Sequence, residues 1–237
     1  MCVLTYLPLA NGGFVLTHNR DESTARAKAI SPRQYWHNGQ SVVYPKDPQA
    51  GGTWIASSVH FTLCLLNGAF EKHESNLPYR QSRGWIILDF FKYSSISNFI
   101  ENYQFTGIEP FTLIITTNAI RTLTVVRWNG QEVFVSSKDD SKPYIWSSAT
   151  LYSATIRHNR EMWFENWVEQ NLHFEAEKIL KFHHTGGNGD VENDLKMNRN
   201  GELLTQCIVQ IKHKNSLIHE IIYQDLLTNN EQIYRIL

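Results

Sequence analysis

Hydrophobic and polar positions divide the chain into strand-like blocks near both ends, with helical blocks between them. Residues 3–7 and 14–17 are short runs of β-branched, aliphatic and aromatic residues, separated by Ala10-Asn11-Gly12-Gly13, a hairpin turn sequence. A turn centred on Asn11-Gly12 sets Cys2 opposite Asp21, Leu4 opposite Asn19 and Tyr6 opposite Thr17. The same pleat sends Val3, Thr5, His18 and Arg20 to the other face, and a slip of one residue would exchange the two sets.

Beyond the hairpin, residues 25–44 read as loop, and Asp47 to Thr53 as a turn-rich approach to Trp54-Ile55-Ala56. Two further strands end at Asn67-Gly68. The apolar run within 79–92 predicts a helix that packs on more than one side, and a second helix covers 96–103. Residues 111–115, 123–128 and 132–135 form an antiparallel meander, with Asn129-Gly130 as a hairpin turn. Helical spacing returns over 151–170, where Trp163 aligns with Trp167 and Phe164 with Val168, and a neighbouring helix covers 174–182. Residues 185–201 are polar and rich in Gly and Asn, a long loop that is either mobile or laid over a site. Residues 205–213 and 216–223 predict a closing hairpin. This order implies an α+β fold of two antiparallel sheets flanked by helices. Neither repeat nor linker divides the chain, so 1–237 reads as one domain.

Composition narrows the function classes. The 237 residues are 42% hydrophobic, enough for a substantial core, and the net charge of −1 with no basic stripe argues against a nucleic-acid or anionic-membrane partner. No apolar run approaches the roughly 20 residues that span a bilayer, and the first residues lack the pattern of a secretory leader. The expected location is the cytoplasm, without a membrane span. Cys2, Cys64 and Cys207 have no paired or metal-binding spacing, and the last two sit in strand-like runs as small buried hydrophobes. Adjacent His183 and His184 would point apart on a helix, Asp190, Glu192 and Asp194 lack the glycine and glutamate of a calcium loop, and Gly186-Gly187-Asn188-Gly189 lacks the lysine of a phosphate loop. No metal or cofactor is expected.

Cys2 carries the candidate chemistry. Removal of Met1 would leave a residue with a thiol and a free α-amine, whose ordinary pKa values of about 8.5 and about 7.7–8.0 let the amine act as base for the thiol. Small residues follow Met1 in many chains, so the hairpin that brings Asp21 opposite Cys2 supplies the weight. Asp21 would then orient the amine. Asn67, at a strand end, reads either as the oxyanion donor or as a turn residue before Gly68. Arg20 lowers the thiol pKa, holds a substrate carboxylate, or instead pairs with Glu22 or another acid. His18, Asn19 and Trp54 are the candidates for contacting substrate, although Asn19 and Glu22 also suit a role in shaping the strand end and Trp54 suits core packing.

The N-terminal Met-Cys, Asn19-Arg20-Asp21-Glu22, Gly51-Gly52-Thr53-Trp54, Leu65-Leu66-Asn67 and Arg83-Gly84 together resemble the NRDE family, also called the transport and Golgi organisation family. The likeness is dense over the first ninety or so residues; later, only Trp146-Ser147-Ser148 and the terminal hairpin can be aligned. It implies an N-terminal nucleophile hydrolase fold, a four-layer αββα sandwich related to bile-salt hydrolases and penicillin V acylases, which cleave linear amides with an N-terminal cysteine. This chain departs from those relatives: His18 stands where bile-salt hydrolases carry arginine, Ser148 where a second asparagine is expected, and Leu204 near an expected arginine that Arg199 could replace by folding back. Two function classes follow. One is a cysteine hydrolase acting on a small-molecule amide or acyl thioester; the other is a noncatalytic carrier or trafficking protein that holds a lipid-like, acyl-thioester or haem-type ligand in the same cleft.

Overall fold

Two antiparallel sheets of seven strands each pack against one another, with a pair of helices on each outer surface. The computed structural model describes residues 2–10, 12–214 and 218–236. Met1, the expected turn residue Asn11, and Ser216 at the expected start of the last strand lie outside the described residues. In chain order the first half comprises β1 (Cys2–Pro8), β2 (Phe14–Ser23), β3 (Ile30–His37), β4 (Gln40–Lys46), β5 (Ile55–Ser58), β6 (Phe61–Asn67), α1 (Gly84–Phe90) and α2 (Ile96–Asn102). It continues with β7 (Phe111–Thr117), β8 (Thr122–Trp128), β9 (Val133–Lys138), β10 (Tyr144–Ser147), α3 (Ala154–Gln170), α4 (Ala176–Thr185), β11 (Asn198–Arg199), β12 (Leu203–Lys214), β13 (Ile218–Asp225) and β14 (Asn230–Arg235). One sheet has the order β10-β1-β2-β12-β13-β14 with β11 paired to β12, and the other runs β3 to β9 in sequence.

Strand alternation builds the layers. Along β1, Cys2, Leu4 and Tyr6 face the second sheet and meet Cys64 and Ile114, while Val3 and Leu7 face outward against Phe164, Ile179 and Phe182 of α3 and α4. The second sheet repeats the division, turning Leu63, Leu65 and Leu113 outward against Ile86, Phe90 and Phe99 of α1 and α2. Three apolar interfaces therefore hold four layers together, and each fully buried Leu or Phe contributes about 1.5–3 kcal/mol of burial.

Several elements differ from the sequence reading. The stretch read as loop over 25–44 contains the hairpin β3–β4, closed by Asn38-Gly39 with both residues at positive φ, the geometry of a tight hairpin turn. Its pattern is weak because β3 is an edge strand with mostly partly exposed or exposed positions, including Trp36 at 70% exposure. The helix expected over 79–92 shortens to Gly84–Phe90, and helix α3 begins at Ala154, where the Ser153 side chain caps the Ile156 N–H. Short β10 and the terminal β14 are additional strands, so the closing hairpin is a three-stranded meander.

Candidate active site

The β1–β2 hairpin sets the site, and its register is one residue from the expected one. Leu9 N–H donates to Gly13 O at 2.9 Å, Gly12 N–H donates to Leu9 O at 3.1 Å, and Gly12 takes a φ of 85°. The connection is thus a three-residue loop with glycine in the left-handed position, instead of a two-residue turn. Cys2 accordingly pairs with Arg20, Val3 with Asn19 and Leu4 with His18, so the expected pairing of Cys2 with Asp21 is corrected. The slip exchanges the faces: His18 and Arg20 share the inter-sheet face with Cys2, whereas Asn19 and Asp21 point toward α3 and α4.

A cleft of about 680 Å³ opens over Cys2. Of the residues singled out in the sequence, Cys2, Arg20, Trp54 and Asn67 line it, and His18, Asn19 and Asp21 do not. One wall depends on two glycines. Thr53 N–H donates to Gly84 O at 3.1 Å, and a Cβ on Gly52 would lie 2.5 Å from the Gly84 carbonyl carbon. The backbones of Gly51-Gly52-Thr53-Trp54 and Arg83-Gly84 therefore touch directly, which no larger residue at Gly52 permits. Asp47 closes the preceding turn by accepting the N–H groups of Gln49 and Ala50.

Cys2 is 4% exposed. Burial pushes its thiol up; the charge of Asp21 adds to the rise and that of Arg20 opposes it. Ser148 ties the two strand ends of the site together, its N–H donating to Cys2 O at 2.9 Å and its hydroxyl to Asn67 O at 2.8 Å. Among the described residues the Asn67 side-chain amide has no hydrogen-bond partner, so it is available to a ligand in the cleft.

Arg20 pairs with acids at the edge of the cleft. Its guanidinium donates to Gln206 Oε1 at 2.8 Å, stands 3.3 Å from Asp47 and 3.5 Å from Glu22, and lies 4.7 Å over the Trp54 ring. Trp54 belongs to the core while lining the cleft, with its Nε1–H unpartnered among the described residues. Arg26 joins at 2.8 Å from Asp47. Burial alone would raise the Asp47 carboxyl, but the Ala50 N–H and Arg26 hold it below its usual range. Arg83 and Glu109, 3.0 Å apart, complete the charged rim with His73 at 3.1 Å from Glu109.

The opposite face of β2 is a buried hydrogen-bond network. Asp21 accepts from the Tyr152 hydroxyl at 2.5 Å and the Thr205 hydroxyl at 2.6 Å. Burial raises its carboxyl, opposed by the Arg160 charge and these two hydroxyls. Arg160 is fully buried, 3.7 Å over the Tyr152 ring, and donates to the carbonyls of Asn193 and Asp194. Asn19 donates to the carbonyls of His183 and Leu195, leaving its Oδ1 to accept from His183 Nδ1 at 2.7 Å; the other ring nitrogen then accepts from the Thr5 hydroxyl at 2.8 Å. Burial keeps His183 neutral, its pKa lowered to about 3. His18, also fully buried, is lowered well below its usual value and has no partner on either ring nitrogen among the described residues.

The loop over 185–201 covers this hydrogen-bonded face instead of the cleft. Leu195 is buried against α4, and Arg199 turns toward Tyr152, 5.8 Å from its ring, and outside the cleft lining. Tyr152, Thr205 and Arg160 escaped the sequence reading, and His183 and Ser148 were noted there without these roles, because each reaches its partner from a distant segment. Among the described residues no group of three or more His, Cys, Asp or Glu could hold a metal ion, and no helix is long and apolar enough to cross a membrane.

The model of the Transport and Golgi organisation 2 family matches residues 1–234, and the chain belongs to that family. No curated protein matches it.

Proposed function

We propose, from that family membership and the cleft over Cys2, that the protein is a cysteine hydrolase of the N-terminal nucleophile type acting on a linear amide or acyl thioester. The observation that carries the reading is the meeting of Cys2, Arg20 and Asn67 in one cleft lining. Because burial pushes the Cys2 thiol up, the thiol is neutral at physiological pH and needs a base. The α-amine exposed by loss of Met1 is that base. It takes the thiol proton as Sγ bonds to the substrate carbonyl carbon, and the carbonyl oxygen becomes an oxyanion facing the Asn67 amide. Such a donor is typically worth about 2.7–4 kcal/mol in the transition state. Collapse breaks the bond to the leaving nitrogen or sulfur, which receives the proton, and water then releases the acyl group from Cys2. Arg20 favours the thiolate from the paired strand. Asp21 acts as a positioning residue: with each oxygen engaged once, its carboxylate keeps lone pairs for the amine.

One observation favours a second reading, in which the same cleft carries a lipid-like, acyl-thioester or haem-type ligand without chemistry. Cys2 is nearly buried, and Leu65, Leu77 and Tyr79 add apolar surface to the lining. Intact mass measurement and a screen of acyl amides and acyl thioesters with wild type and Cys2→Ala separate the two. The hydrolase reading expects Met1 to be absent and turnover to fall by roughly a thousandfold or more in the variant. Retention of Met1 in protein from a host with methionine aminopeptidase, or turnover that survives Cys2→Ala, would favour the carrier.

A further inference from the structure

Away from the cleft, two arginines stand together without an acid. Arg127 on β8 shares the inter-sheet face with Leu123 and Val125, and it pairs across the strands with Phe134 of β9. Its guanidinium lies 5.3 Å from the ring of Phe70, and Arg157 of α3 donates to the Phe70 carbonyl at 2.8 Å. Phe70 and Phe134 meet edge to face at 5.1 Å and are 44% and 40% exposed. Among the described residues no carboxylate lies within ion-pair distance of either guanidinium, and the Nε of each is buried without a hydrogen-bond partner. Burial lowers the Arg127 pKa, and the like charge of Arg157 lowers it further. None of these four residues lines the cleft.

Two guanidiniums of like charge gathered around Phe70, each with a buried Nε, repel one another, and an anion between them would reverse the sign of that interaction. Arginine offers planar, forked donors that match oxyanions. A phosphate monoester, with a charge of about −1.5 to −2 at neutral pH, matches the pair better than a singly charged carboxylate. The exposed rings of Phe70 and Phe134 give the organic part of such a ligand an apolar surface. We propose that Arg127, Arg157, Phe70 and Phe134 form a second binding site for a small phosphate monoester with an aryl or alkyl portion, separate from the Cys2 cleft.

Calorimetric titration at low ionic strength tests this, with phenyl phosphate, inorganic phosphate and benzoate as probes. The site predicts that phenyl phosphate binds tightest and that Arg127→Gln and Arg157→Gln each weaken it by about tenfold or more. Arg127→Lys and Arg157→Lys should lie between wild type and the Gln variants, since they keep charge but lose the fork. Phe70→Ala should weaken phenyl phosphate while sparing inorganic phosphate. Phenyl phosphate should also raise the Tm of wild type and leave that of the folded double Gln variant unchanged. The proposal is overturned if the double variant binds phenyl phosphate as well as wild type does, if Arg83→Gln in the cleft abolishes binding instead, or if inorganic phosphate binds as tightly as phenyl phosphate.

Discussion

The two faces of β2 do different work with neighbouring residues. On the outer face, Asn19 and Asp21 are buried among fixed partners: His183, Leu195, Tyr152 and Thr205 occupy their polar atoms. On the inner face, Arg20 belongs to a mixed ion network at the cleft, and His18 is buried with no partner among the described residues. The Asn-Arg-Asp-Glu tetrapeptide is thus divided by the strand pleat into a pair that staples α3, α4 and the 185–201 loop to the sheet and a pair that faces the cleft. Adjacent residues in a motif need not share a task, because alternation sends them to opposite surfaces.

Asp21→Ala should cause the largest effect. It strands the Tyr152 and Thr205 hydroxyls and leaves buried Arg160 without its neighbouring carboxylate, a loss of about 3–5 kcal/mol by urea denaturation. A loss under about 1 kcal/mol would break the contrast between the faces.

Acid should expose the same face next. His183 has a folded pKa lowered to about 3 against an ordinary value of 6.5, so the unfolded chain binds its proton first. Its stabilising contribution is fully present above pH 6.5 and is lost as pH falls from there toward 3. The urea midpoint should drop over this window, and His183→Gln should flatten part of the slope while lowering stability at neutral pH. An unchanged slope in that variant would remove His183 from the account.

Arg20→Ala sharpens the comparison from the other side. Arg26 remains to pair with Asp47 and Glu22, so the expected stability loss is only about 1–2 kcal/mol. Alkylation of Cys2 should slow modestly, because the Arg20 charge is one of those that favour its thiolate. Trp54→Phe should have the smallest effect on stability, about 0.5–1 kcal/mol, since it keeps a ring under Arg20 but removes the unpartnered Nε1–H. Ligand affinity in the cleft is its informative readout.

The layered fold was legible because strand blocks and helical pairs follow one another with clear periodicity, and the clusters around Leu4, Phe90 and Phe164 fall on the faces that periodicity assigns. The β3–β4 hairpin was not, since an edge strand has no continuous apolar face, although Asn38-Gly39 was a usable turn signal. Cys2, Trp54 and Asn67 could be singled out from local sequence and share one cleft lining, whereas the expected pleat put Arg20 on the face away from Cys2 and the observed register brings it back. Choosing between a two-residue and a three-residue loop around the same Asn-Gly-Gly sequence reversed the facing of every residue in β2 relative to β1. The partners of Asp21 lie on α3, its preceding turn and β12, and no local spacing announces contacts made across the whole chain.

The most direct test of Cys2 as the reactive centre is peptide-resolved mass spectrometry after a short incubation with an acyl thioester. The account predicts a chain lacking Met1 with an acyl group on Cys2, and no adduct on the fully buried Cys64 and Cys207. A chain that retains Met1 and remains unacylated, or that carries its acyl group elsewhere, would contradict it.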